Sequence, residues 1–159
     1  DDSFRFDVQD NKYTNWEHSC VLKIPQKWTV KTKTAVPNIL ITMTQQPFGG
    51  YPFNIILAYE DIATPMQPEE YAQKLEGDMK KAYASYTKFS ETSIGINGMR
   101  GVDVIFTFKD ASGRTLLRQR QICFTKGQKA YILTYTAANG NFQDNMEVFA
   151  GVLHSFKVY

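Results

Sequence analysis

Apolar and polar residues alternate along much of residues 99–137, and the spacing becomes helical after that. The alternation predicts three strands, over residues 99–108, 116–125 and 129–137. Turn residues separate them, Asp110-Ala111-Ser112-Gly113 and then Lys126-Gly127. The helical spacing is carried by Phe142, Met146, Phe149, Leu153 and Phe156. This order predicts an antiparallel meander covered by a C-terminal helix.

The first hundred or so residues contain shorter apolar segments and one amphipathic helix. Strands are predicted over residues 18–25, 29–33, 38–45, 54–62 and 89–96, with Ile39, Ile41 and Met43 facing inward in the third. A helix is predicted from Pro68 to about Tyr86, since proline suits the first helical position and acidic residues follow it. Asn97-Gly98 is a strong signal for a two-residue hairpin.

Strands that are not separated by crossover helices favour the α+β class. We expect a mainly antiparallel sheet of about six strands, with a central helix and a C-terminal helix packed on it. Residues 1–17 are polar with scattered aromatic rings and are predicted to form an N-terminal arm that packs only partly. Residues 18–159 are predicted to form one domain, a usual size for a single core.

Charge and hydropathy exclude two classes of protein. The net charge is +2, from 18 basic and 16 acidic residues, which argues against a nucleic-acid binder with its concentrated basic face. The longest apolar run, around Ile55-Ile56-Leu57-Ala58, is far shorter than the roughly 18 residues of a membrane span. The chain begins at Asp1, and we expect a signal peptide or lipoprotein leader upstream, although another kind of cleavage would leave the same start.

Residues that could carry chemistry are few and scattered. Cys20 and Cys123 each fall in a predicted strand, and they form either one disulfide or two buried free thiols. His18 and His154 are interpreted as surface residues, and neither has a second metal ligand at a suitable spacing. There is no nucleophile elbow and no phosphate-binding loop. We therefore predict no catalytic residue, no metal site and no cofactor.

The segment Gln45–Phe53 contains two prolines and two glycines and is predicted to be an irregular loop. Its aromatic residues are Phe48, Tyr51 and Phe53. They are either an exposed recognition patch or a cover folded back over the core.

A second candidate surface is a basic strip. Arg118 and Arg120 alternate with glutamines and so share one face of a strand, with Arg114 and Lys126 nearby in sequence. The strip would suit an acidic partner or ligand. The alternative is a solvated strand face whose charges protect the sheet.

Three stretches resemble a known fold. They are Leu22-Lys23-Ile24-Pro25-Gln26-Lys27-Trp28, the strands of residues 95–108, and Lys129-Ala130-Tyr131-Ile132-Leu133-Thr134-Tyr135 leading to a helix that ends in Ser155-Phe156. Their order is similar to that of the PsbP extrinsic proteins of photosystem II, the DcrB-type bacterial envelope lipoproteins and a nuclear Ran-release factor. The resemblance implies a protein exported to the periplasm or outer surface, often lipid-anchored, and without a known reaction. The histidines that bind metal in some PsbP-type proteins have no matching pair here.

These observations lead to three functional hypotheses. The first is a non-enzymatic extracytoplasmic domain that binds or helps assemble a protein or envelope component. The second is a small-ligand-binding protein or enzyme with a pocket between sheet and helix, lined by Tyr59, Tyr71, Tyr83 and Tyr135. The third is a structural module docked beside another domain.

Overall fold

The computed structural model describes residues 5–159. These residues form two antiparallel sheets and two α-helices. The four-stranded sheet has the order β1-β2-β3-β11, and the seven-stranded sheet has the order β4-β5-β6-β10-β9-β8-β7. The strands are β1 Phe6–Gln9, β2 Lys12–Asn15, β3 Cys20–Lys23, β4 Thr29–Lys31, β5 Ile39–Gln45, β6 Phe53–Asp61, β7 Thr87–Ile96, β8 Met99–Lys109, β9 Leu116–Lys126, β10 Lys129–Ala138 and β11 Lys157–Val158. The helices are α1 Pro68–Ala82, a 3₁₀ helix Asn139–Asn145 and α2 Met146–Ser155.

The α+β class and the meander are confirmed. Strands β7 to β10 are consecutive neighbours, and Asn97 and Gly98 form the turn of the β7–β8 hairpin with φ values of 50° and 78°. The described residues form more strands than the six expected, and β1, β2 and β11, of two to four residues each, match none of the predicted strands. Strands of that length are too short to show a periodicity.

The described N-terminal residues include two strands of the four-stranded sheet. Strands β1 and β2 form a hairpin around Asp10 and Asn11, whose φ values of 51° and 57° suit a two-residue turn. The hairpin continues into β3, and Tyr13 is fully buried in the core. Residues 1–4 of the expected arm lie outside the described residues, and the domain division at residue 17 stays a prediction.

The two faces of the seven-stranded sheet are covered differently. The α2 face packs on α2 and on the four-stranded sheet, in a core that contains Leu57, Leu133 and Phe149. The α1 face packs on α1 in a second cluster that contains Tyr71 and Phe106. Alternate residues of each strand supply the two faces.

Helix α1 is shorter than predicted because the chain leaves the helix at Tyr83, which has an extended conformation. Tyr83 and Tyr86 still pack on the sheet, with their rings 4.6 and 5.1 Å from those of Phe108 and Phe106. Because these two tyrosines follow the apolar spacing of the helix, the predicted helix extended past its actual end. Among the described residues, no helix is long and apolar enough to cross a membrane.

The thiols of Cys20 and Cys123 are both free and buried. Cys20 belongs to the core on the α2 face, whereas Cys123 lies in the cluster beneath α1. The sheet separates them, so the disulfide hypothesis was wrong.

Candidate functional site

An open cleft of about 530 Å³ lies between α1 and the seven-stranded sheet. Its floor is formed by Ile56 and Ala58 of β6 and by Ile132 of β10. Its wall is formed by Leu75 and Met79 of α1. We call this feature the helix cleft. Its volume lies within the roughly 300–1,000 Å³ of typical ligand sites.

The cleft exists because one helix covers only part of a wide sheet. Helix α1 packs on β8 and β9, whereas β6 and β10 lie beyond it. In β6, Ile55 and Leu57 point into the core of the α2 face, so Ile56 and Ala58 point to the α1 face, where they are only half-buried. An apolar run such as Ile55–Ala58 is typical of a strand that is covered on both faces. Here the α1 face of the strand is covered only in part.

A β-bulge adds a further apolar side chain to the helix cleft. Ile39 pairs with Ala58, while Ile41 pairs with Leu57, so the register shifts between them. Ile39 therefore lines the cleft instead of sharing the inward face of Ile41 and Met43. The prediction for Ile39 was wrong because alternation breaks at a bulge.

The inner end of the cleft carries neutral polar groups. Gln119 and Gln121 of β9 and Thr134 of β10 line its inner end. The Oε1 atom of Gln119 accepts a hydrogen bond from Thr136 Oγ1 at 2.9 Å. These neutral groups can hydrogen-bond a ligand without placing charge beside its apolar part.

At the rim of the cleft, Glu60 accepts hydrogen bonds from two neighbouring side chains. Tyr71 donates its hydroxyl to Glu60 Oε1 at 2.6 Å, and Lys74 Nζ donates to Glu60 Oε2 at 2.9 Å. Partial burial raises the pKa of Glu60, but the two hydrogen bonds and the Lys74 charge outweigh it and leave that pKa below its ordinary value. Burial, together with Glu60, raises the pKa of Tyr71. Glu60 therefore remains an ion, which makes it unsuited to act as a general acid.

The ionisable side chains that line the helix cleft, among the described residues, are those of Glu60, Asp78 and Tyr71. The side chains that line it, among the described residues, include no serine, cysteine or histidine. Over residues 5–159, no three His, Cys, Asp or Glu side chains converge as a metal site would require. The arrangement can hold an apolar group and hydrogen-bond a polar end.

The four tyrosines expected around one pocket lie on opposite faces of the sheet. Tyr71 and Tyr83 are on the α1 side, whereas Tyr135 is buried in the core of the α2 face and Tyr59 packs against that core. Only Tyr71 lines the helix cleft among the described residues. A cleft does lie between the sheet and a helix, but three of the four tyrosines that we expected to line it do not.

The aromatic loop is divided between solvent and core. Phe48 is fully exposed, Tyr51 is half-buried against the cluster of the α1 face, and Phe53 is buried as the first residue of β6. The Phe53 ring lies nearly parallel to that of Tyr135, with 6.5 Å between centroids. Phe53 therefore cannot belong to an exposed recognition patch, because β6 directs it into the core.

The four basic residues of the expected strip lie in different surroundings. Arg114 lies in the turn before β9 and Lys126 ends that strand, so β9, which is about 33 Å long at roughly 3.3 Å per residue, separates them. Arg118 lies between two rings, 4.5 Å from the Phe89 centroid and 5.4 Å from that of Phe142. Arg120 forms an ion pair with the buried Asp103. Arg118 and Arg120 do share a face, but that face packs against the 3₁₀ helix and α2.

His18 is buried, which corrects its interpretation as a surface residue. Its ring packs on Tyr59 with 3.8 Å between centroids, and its Nδ1 atom is 2.7 Å from Lys129 Nζ. Since the ammonium group can only donate, Nδ1 accepts and the imidazole is neutral. Burial, and then the Lys129 charge, lower the pKa of His18. His18 stands two residues before the buried Cys20, in phase with the inward side of the strand predicted over residues 18–25, and that alternation was the available signal; His154 is exposed, as predicted.

The missed residues are those of the cleft floor. Ile56, Ala58 and Ile132 are apolar residues at positions where an alternating strand would carry polar ones. That departure from alternation was the available signal.

No curated protein matches the sequence. The solved structures that share the fold include the following three. Cyanobacterial PsbP (CyanoP) from Synechocystis sp. PCC 6803 is 12% identical with a TM-score of 0.67, covering 93% of this chain and 91% of that one. LpqN, described as involved in cell envelope biogenesis of Mycobacterium tuberculosis, is 15% identical with a TM-score of 0.67, covering 87% and 82%.

The third is the Ran-binding protein Mog1p of Saccharomyces cerevisiae, 6% identical with a TM-score of 0.65, covering 96% of each chain. Identities this low establish the PsbP-like fold alone. The sequence also matches the family model DcrB over residues 20–155, which is most of the chain. The chain therefore belongs to the DcrB family.

Proposed function

We propose that this protein is a non-enzymatic, extracytoplasmic binding domain that holds an apolar group of a cell-envelope component in the helix cleft. The observation that carries the proposal is the half-buried apolar floor of Ile56, Ala58 and Ile132 beside α1. Apolar surface left open between a sheet and its covering helix is stabilised when a ligand removes it from water.

The polar groups of the cleft restrict the ligand further. Glu60 is already paired with Lys74 and Tyr71, the exposed carboxylate of Asp78 lies 3.9 Å from Lys74 Nζ, and the inner amides of Gln119 and Gln121 are neutral. A ligand that enters this space meets no unpaired buried charge. An aliphatic chain with one hydrogen-bonding end fits these surroundings, and an ionic ligand does not.

The extracytoplasmic location is supported by the family and by one structural relative. The chain belongs to the DcrB family, and LpqN is described as involved in cell envelope biogenesis. We extend the proposal to export to the periplasm or outer surface, with a lipid anchor upstream of residue 1. Fractionation of cells expressing the native gene tests the location, because recovery in the cytoplasmic fraction would contradict it.

Binding in the cleft is tested with the neutral apolar dye N-phenyl-1-naphthylamine. Its fluorescence should rise on addition of the protein and fall again when dodecanol competes. In Ala58→Trp the indole fills the floor of the cleft, so dye binding should be lost while the far-ultraviolet circular dichroism is retained. Ala111→Trp is the matched control, because Ala111 lies in the exposed turn between β8 and β9.

Three outcomes would overturn the binding proposal. They are no dye binding by the native protein, equal binding by the native protein and A58W, and equal loss of binding in A58W and A111W. The two outcomes that involve A58W can be interpreted only if that variant is folded. Thermal unfolding of each variant provides that check.

A further inference from the structure

The outer edge of the seven-stranded sheet is formed by β7, a long and open strand. Every residue from Thr87 to Ser93 is exposed, and within residues 5–159 no strand pairs with its outer side. The opposite edge strand, β4, has only three residues. Proteins usually protect a sheet edge by making it short, charged or covered. Strand β7 has ten residues, and its only charged side chains are those of Lys88 and Glu91.

The hairpin register shows which backbone groups are unpaired at this edge. The two-residue turn closes on the Ile96–Met99 pair, so Ile96, Ile94 and Thr92 direct their backbone groups to β8. The alternate residues Glu91, Ser93 and Gly95 direct their N–H and C=O groups outward. They form a short row centred on Ser93.

Gly95 is not required by the fold of its own chain. Its φ is not positive, and a Cβ atom there would meet only Met99 O, at an ordinary 3.9 Å. A glycine inside a strand weakens the strand and often marks a place where another backbone approaches closely. Gly95 therefore points to a neighbour that this chain does not itself supply.

We infer that two copies of this chain associate by pairing β7 with β7 in antiparallel orientation, with the two-fold axis at Ser93. In that register Ser93 faces Ser93 of the second copy, and Glu91 faces Gly95. The three pairs form about six backbone hydrogen bonds, two for each pair. The dimer joins the two seven-stranded sheets into one.

The side chains of the row fit a second copy as the occupant. Glu91 faces a glycine, so no like charges meet across the axis. Arg100 pairs with Gly95 in the β7–β8 ladder and stands on the same face. Arg100 is bound by Glu69 and Gln67 of its own chain, and Glu91 by Lys88, so the register places each Glu91 opposite a glycine without bringing any new unpaired charge into the interface. The row is complementary to itself when reversed, which a two-fold interface requires.

Sedimentation velocity over a range of protein concentrations tests the inference. The native protein should sediment as a dimer at high concentration and dissociate on dilution. Ser93→Lys places two lysines opposite each other, and it should raise the dimer dissociation constant by at least roughly tenfold. Thr29→Lys is the matched control, because it replaces another exposed hydroxyl residue, on the opposite edge. It should leave the dissociation constant unchanged.

Hydrogen exchange distinguishes this interface from any other. Protection of the amides of Glu91, Ser93 and Gly95 should increase with protein concentration. A protein that stays monomeric at its highest soluble concentration would overturn the inference. So would a dimer that S93K leaves intact, or one whose formation leaves these three amides unprotected.

Discussion

Arg120 forms an ion pair with Asp103 on the neighbouring strand, with 2.7 Å between Nη2 and Oδ2, beneath α2. A second nitrogen, Nε, lies 3.1 Å from the same oxygen, and the guanidinium group also lies 5.3 Å from the centroid of the Phe149 ring. The side chains of Arg120 and Asp103 are only 18% and 10% exposed. Arg120 therefore attaches α2 to the sheet instead of offering its charge to a partner.

Removing this arginine should destabilise the protein. We expect Arg120→Met to lower the free energy of unfolding by roughly 3 kcal/mol, because Asp103 is then buried without its cation. The double variant R120M/D103V should be more stable than R120M, since the unpaired carboxylate is gone. Urea unfolding of both variants and of D103V gives the coupling energy. The control Arg114→Met, in an exposed turn, should change stability by less than about 0.5 kcal/mol.

Phe48 and Phe53 should respond oppositely to the same substitution. Phe53→Ser removes a buried ring next to Tyr135, and we expect a loss of about 3 kcal/mol or more in unfolding free energy. Phe48→Ser changes only an exposed side chain and should cost less than about 0.5 kcal/mol. Chemical denaturation measures both. A large loss for F48S would show that the loop packs on the core.

The neutral state of His18 predicts a pH dependence of stability. Burial and Lys129 lower the pKa of the folded-state imidazole below its ordinary 6.5, and the nearby carboxylates of Glu17 and Asp61 oppose this only in part. Above about pH 6.5 the imidazole is neutral in both states, and its contribution to stability is complete. As the pH falls below that value the unfolded chain binds the proton first, so stability decreases until the folded-state imidazole is protonated as well.

This dependence can be assigned with two histidine variants. His18→Gln keeps a neutral hydrogen-bonding side chain beside Lys129, so the decrease in stability between pH 7.5 and 5 should be smaller than in the native protein. His154→Gln is the control, because His154 is exposed on α2. An identical pH profile for H18Q and the native protein would contradict the assignment.

Gly101 and Gly77 should give opposite results when each is replaced by alanine. A Cβ atom at Gly101 would lie 2.7 Å from Cys123 O and from the ring of Phe124, so Gly101→Ala should destabilise by about 1–3 kcal/mol. At Gly77, inside α1, a Cβ atom meets nothing within 4 Å. Gly77→Ala should therefore stabilise by about 0.5–1 kcal/mol through helix propensity. Thermal unfolding checks both, and a lower melting temperature for G77A would contradict the argument.

The long elements could be predicted from the sequence because their information is local. Alternation over β8 and β10, and the Asn97-Gly98 turn, depend on residues that are close together in the chain. The α+β class followed from the order of these elements. Strands of two to four residues, such as β1 and β11, are defined by the neighbour they pair with and have too few residues to show a pattern.

The candidate site could be predicted only in outline. The run Ile55–Ala58 indicated a strand with two apolar faces, but it could not show that α1 stops short of β6 and leaves one face open. The burial of His18 depends on Tyr59 and Lys129, which are distant in sequence. Phe48 is exposed and Phe53 is buried because β6 begins at Phe53, and the sequence did not show where that strand begins.

The sequence by itself determined which segments alternate, where they turn and the family to which the chain belongs. Tertiary structure decided which faces are covered, which charges are paired and where space remains. The physical reason is that periodicity reflects the geometry of a single strand or helix, whereas burial depends on the elements that pack against it. For this protein, the helix cleft is the space that such packing left open between α1 and β6.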